Sequence, residues 1–174
     1  MPTEVRGAVA LRKALRQFEP DLAKETTKEI ANFLKPVVKQ ARGFAPSNSD
    51  VPSGWVKRPN AGGRWANRLY DAQEVRRGIT FKSTPSKPNR NGFRSLATIF
   101  NRSAAGAIYE TAGRKSGITG KFTPKLGGQI KGSNAKNSGR VIFRAVEEDE
   151  GKARGYIIKA IESAAEKLNS RTKV

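Results

Sequence analysis

The residues of this sequence that could do chemistry are almost all cations. Its 174 residues include 34 Lys and Arg against 15 Asp and Glu, with no Cys and no His, for a formal net charge of +19. Without thiol or imidazole there is no thiolate nucleophile, no imidazole base, no Ser-His-Asp triad, no disulfide framework and no zinc site of the usual nitrogen and sulfur kind. An oxygen-ligand metal site would need carboxylates close together, and they are thinly spread except for one run. Neither a phosphate-cradling Gly motif nor a nucleotide fingerprint occurs, and no spacing supports a Ser/Lys or carboxylate-based catalytic set. The expectation is therefore a non-enzyme with no cofactor, metal or small-molecule substrate.

What remains is a charge pattern. Residues 1–42 carry 9 basic and 5 acidic side chains, 43–139 carry 17 and 4, and 140–174 carry 8 and 6, giving net charges of +4, +13 and +2. The excess sits where Gly, Pro, Ser and Asn are also concentrated. A basic middle of this kind can bind phosphate by sequence-independent counterion release, line a passage for a moving polyanion, or act only as a solvated surface that keeps the protein soluble. Within it, Trp55 and Trp65 stand among Lys57, Arg58, Arg64 and Arg68. Interleaved aromatics and cations suit a stacking platform for single strands, an interface hot spot, or a Trp packed over a loop. The stretch 114–139 holds Arg114, Lys115, Lys121, Lys125, Lys131 and Lys136 and no acid. The opposite charge is concentrated in Glu147, Glu148, Asp149 and Glu150. That run reads either as carboxylates placed ahead of a helix, favoured by its dipole, or as an acidic patch facing the basic surface of a neighbouring copy.

The elements that must position these groups follow from periodicity. Leu11, Leu15, Phe18 and Leu22, then Thr26, Ile30, Phe33, Leu34, Val37 and Ala41, recur at three- and four-residue intervals. They predict one long amphipathic helix or two in series, broken near Glu19 by Pro20 and kinked by Pro36 before Ala45-Pro46 closes the run. Met1 to Phe18 has the basic amphipathic look of a transit peptide, but Glu4 and the continuing helical pattern favour an ordinary first helix. From Leu69 through Val75 and Ile79 the chain reads as strand-like. Residues 77–83 and 93–101 read as two strands of a long hairpin. Residues 103–113 form a short helix capped by Ser103 and stopped by Gly113. Helical period returns from Val141 to Leu168.

These readings give an α+β class, with long N- and C-terminal amphipathic helices packed on a small antiparallel sheet. One domain spans 1–174, with 47–68 and 114–139 as extended loops or arms. No stretch has the length and apolarity of a membrane span, and no membrane partner is expected.

Three segments carry a likeness to a known family. Residues 38–46 (VKQARGFAP) bring a Lys- and Ala-containing helix end to an Ala-Pro pair. Residues 107–113 (AIYETAG), after the hairpin, resemble a Tyr-x-Glu-x-Gly type signature, and 143–147 (FRAVE), before the last helix, resemble a Phe-x-x-Ala segment. In this order they resemble the tail-completion or minor tail proteins of tailed phages, which join a siphophage tail to its head. The resemblance implies a structural virion protein without catalysis, a neck or tail location after assembly in the host cytoplasm, and a homo-oligomeric ring, six copies matching tail symmetry. Its implied partners are other neck and tail proteins (terminator, connector, tail tube) and genomic DNA passing through the lumen. Arg64, Arg68, Arg114, Lys115, Lys121 and Lys125 would then be DNA-facing or interface residues, Trp55 and Trp65 interface aromatics, and Glu147 to Glu150 an acidic inter-subunit patch. Tail termination is the neighbouring job within the same class. A free-standing, sequence-nonspecific nucleic-acid-binding protein is the reading from a different class.

Overall fold

A computed structural model of the chain describes residues 7–63, 65–114, 122–127, 130–132, 138–149 and 151–172. Its class is α+β, with six α-helices and two small two-stranded sheets among the described residues. Two compact units divide the chain. One comprises Met1–Pro36, Phe81–Thr98 and Gly151–Val174, the other Val37–Thr80 and Ile99–Glu150.

Helix α1 (Ala8–Phe18) stops at Glu19, whose backbone leaves the helical region at φ −138° and ψ 70°. The cause is local, because the ring of Pro20 disfavours helical geometry in the residue before it and itself suits the first position of a new helix. Helix α2 (Pro20–Phe44) then runs on through Pro36, and the division between the units falls just after that proline. In the first unit Leu15, Leu22 and Ala164 form a buried cluster flanked by Leu11, Ala23 and Leu168, so α1, the start of α2 and α6 (Lys152–Thr172) share one apolar seam. The pairs Phe33 with Tyr156, Glu25 with Lys167 and Glu19 with Arg171 run in opposite chain order, which makes α6 antiparallel to α2. The buried Thr26 hydroxyl is satisfied by donating to its own Leu22 carbonyl at 2.8 Å.

The second unit holds most of the remaining short elements, while residues 81–98 belong to the first. Residues 72–78, expected to be strand-like, form helix α3 (Ala72–Gly78) because Asp71 caps it, accepting from Gln73 N at 2.9 Å and Glu74 N at 3.0 Å. Strand β1 (Ile79–Lys82) follows at once and pairs with β2 (Thr98–Asn101). The expected hairpin is thus shorter than its sequence pattern. Residues 86–95 close as a turn instead, with Asn89 Oδ1 accepting from Asn91 N and Phe93 N and with Ser86 N donating to Ser95 O. Helix α4 (Ala104–Thr111) carries the expected signals: the Ser103 hydroxyl accepts from Gly106 N, and Gly113 beyond its end sits at φ 82°. Strands β3 (Lys131–Gly132) and β4 (Ser138–Gly139) pair antiparallel, and α5 (Ile142–Glu148) ends the unit.

Candidate functional site

The adjacent Tyr109 and Glu110 sit in a buried polar cluster. Glu110, on α4, is 6% exposed, and its carboxylate accepts from Val141 N at 2.7 Å, Ile142 N at 3.2 Å and Phe143 N at 2.9 Å. It is the cap of α5, supplied from a helix 31 residues earlier. Beside it Arg140, 5% exposed, donates to Gly127 O and Tyr109 O, each at 3.0 Å, and to Ala112 O. Burial pulls the Arg140 pKa down, while Tyr109 and Glu110 oppose that. Desolvation pushes the Tyr109 phenol up. Glycine is required at 139, because a Cβ there would overlap the Glu110 carboxylate. Three backbone donors occupy the two oxygens of Glu110, so the group works as a helix cap.

The aromatic and cationic loop is folded onto the same unit. Ser47 donates to Asp50 through its backbone N (3.0 Å) and its hydroxyl (2.6 Å), which holds the Asp50 carboxyl below its ordinary range. Asn48 Oδ1 accepts from Ala72 N at 2.9 Å. Trp55, 9% exposed, donates from Nε1 to Arg68 O at 2.7 Å, lies 5.0 Å from the Tyr70 ring and meets Phe122 edge-on at 5.1 Å. Tyr70 is fully buried, donates its hydroxyl to Pro46 O at 2.9 Å, and has its pKa raised by desolvation. Trp55 is therefore a core residue of its own unit, the packing alternative for this loop, and is covered by that packing. Trp65 is 56% exposed, with the Arg68 guanidinium 4.1 Å from its ring centroid.

The expected polyanion-facing cations are spread over separate places. Arg68 covers Trp65, Arg114 lies 4.8 Å from the Phe143 ring, and Lys125 is exposed on a short 3-10 helix, Thr123–Leu126. Arg64, Lys115 and Lys121 lie outside the described residues. Of the acidic run, Glu148 is held within the unit: Arg144 at 2.9 Å, Lys131 at 3.0 Å and Gln40 Nε2 at 3.1 Å all donate to it. The hydrogen bond from Arg144, then that from Lys131, lowers its pKa. Glu147 and Glu148 occupy the last turn of α5 and Asp149 follows it, three residues ahead of the start of α6 at Lys152; Glu150 lies outside the described residues. The dipole argument thus does not apply to Glu147 and Glu148, which stand at the end of α5.

A second cationic feature, in the first unit, was not singled out in the sequence. Arg12 on α1 is 4% exposed; it donates to Leu96 O at 3.3 Å and to Thr27 Oγ1 at 3.1 Å. Burial, then the nearby charge of Arg16, lowers its pKa. Together with Lys13, Arg16 and Arg94 it lines a half-open groove of about 550 Å³. The helical spacing of Arg12, Lys13 and Arg16 is legible in the chain, but Arg94 joins them only through the turn at 86–95.

Among the described residues no group of three Asp or Glu could hold a metal ion, and no helix is long and apolar enough to cross a membrane. No protein family, no curated protein and no solved structure matches this chain.

Proposed function

We propose that this chain is a non-catalytic structural virion protein of the tailed-phage head-tail junction, forming a homo-oligomeric ring of six copies at the neck or the upper end of the tail. One observation carries the reading. The three segments bearing the family likeness, 38–46, 107–113 and 143–147, interlock in one compact unit. Arg144 lies 3.9 Å from the Phe44 ring, Glu110 accepts from Phe143 N, and Tyr70 joins Pro46 to the Tyr109 ring at 6.1 Å. Short motifs that meet in space support a common fold unit better than motifs scattered over a chain.

A ring of this kind uses a heterologous interface that closes by rotation. Exposed Trp65 with Arg68, and the basic 114–139 segment, are the surfaces assigned to neighbours and to the DNA passage, where dispersed cations attract phosphate without gripping bases. The packing of both terminal amphipathic helices on the small sheet is part of the same proposal. The partners are the terminator, connector and tail tube proteins, and the place is the virion. The test is solution mass by light scattering on a size column, at low and moderate salt, with and without DNA and tail components. A discrete multimer near six subunits, alone or on adding tail components, is expected. A stable monomer under every condition that binds DNA tightly at low salt and releases it steeply would replace this reading by a free-standing nucleic-acid binder.

A further inference from the structure

The groove of the first unit is built from Arg12, Lys13 and Arg16 on α1 and from Thr84, Ser86 and Arg94 of the segment facing it. It brings four cations together from positions up to 82 residues apart, with no carboxylate among its lining residues. Lys13, Arg16 and Arg94 are exposed and make no ion pair with any described residue. Arg12 forms the buried part of the wall. Two of its N–H groups are committed to Leu96 O and Thr27 Oγ1, and the rest of its five-donor fork is left over.

We infer that this groove is a binding site for the phosphodiester backbone of duplex DNA. Three of the four cations are guanidinium groups, whose planar forks match phosphate oxygens two at a time. The uncharged walls are Val9, Ala10 and Pro85 with two small hydroxyl residues, so no aromatic face offers stacking to a splayed base and no large apolar anchor offers a protein hot spot. Backbone recognition without base contact is what such a wall can do. The inference does not depend on the virion reading, since it stands on a different unit from the family-like segments.

The test uses the full chain and a short labelled duplex, with binding followed by fluorescence anisotropy over a salt series. The variant K13Q/R16Q/R94Q is compared with K28Q/R154Q/K159Q, which removes the same charge from exposed positions of the same unit. The groove variant is expected to lose at least about tenfold in affinity and to flatten the log–log salt slope by about 2.7, at about 0.9 per phosphate-contacting cation, with the control much less affected. Arg94→Gln alone, on a turn whose hydrogen bonds do not use its side chain, should flatten the slope by about 0.9 and serves if the triple variant loses its helical circular dichroism. Equal losses in both triple variants would mean a diffuse field and overturn the proposal. So would displacement of the duplex as effectively by poly-glutamate or by inorganic phosphate at matched ionic strength.

Discussion

Replacing Glu110 by Ala should damage the second unit more than any single surface change. The side chain is buried and is the acceptor for three backbone N–H groups at the start of α5. Loss of a cap alone costs about 1 kcal/mol, and each buried donor left without an acceptor adds roughly 1–3 kcal/mol before water entry offsets part of it. Arg140 would also keep its buried charge while losing the favourable charge of Glu110. A loss of about 4 kcal/mol follows, in the range for breaking a buried charged partnership. For a chain of this size that is a fall of roughly 8–16 °C in Tm. Glu110→Gln retains one carbonyl oxygen, which can serve Val141 N and Ile142 N, but turns an amide N–H toward Phe143 N, so it should lose about half as much. Both tryptophans lie in this unit, so urea and thermal unfolding followed by Trp fluorescence reads the affected part directly. Wild-type midpoints in both variants would refute the assignment of Glu110 as the cap that holds α5.

Trp55→Ala should cost about 3–5 kcal/mol by emptying the space between Tyr70 and Phe122, whereas Trp65→Ala should stay within about 0.5 kcal/mol; thermal midpoints of the two separate variants check the contrast. Arg12→Met should destabilise the first unit by about 2 kcal/mol, because Leu96 O and Thr27 Oγ1 lose their donor while the apolar stem is retained, and chemical unfolding followed by far-ultraviolet circular dichroism measures it. Asp50 and Glu148 both titrate below their ordinary values in the folded chain. Their contribution is therefore fully present above the unfolded carboxylate pKa, about 4, and is lost as pH falls through the lower folded values. Between neutral pH and that acid region, the double variant D50N/E148Q should show a flatter fall of Tm than the wild type.

How much of this was legible beforehand depends on the range of the interactions involved. Pro20 stops one helix and starts the next through its own ring, and Ser103 and Gly113 bound α4 through hydrogen bonding and backbone freedom within a few residues. The seven-residue α3 escaped because it is too short to show a period, and the strand-forming Val75 and Ile79 outweigh the single capping signal of Asp71. In the acidic run, the pattern of charges was visible but not that Glu148 already has Arg144, Lys131 and Gln40 as donors. Trp55 and Trp65 sit in the same kind of local sequence; only Tyr70 and Phe122 make one of them core.

The sequence by itself determined the absence of thiol and imidazole chemistry, the basic middle and the amphipathic terminal helices, since composition needs no fold and helical period is set by neighbours three and four residues apart. Tertiary structure alone decided that Glu110 caps a helix beginning 32 residues later, and that Arg12 and Arg94 share one groove. Those pairings depend on which distant side chains the packed core brings within a few ångströms, and a buried carboxylate or guanidinium acquires its role from the donors and acceptors that packing sets around it.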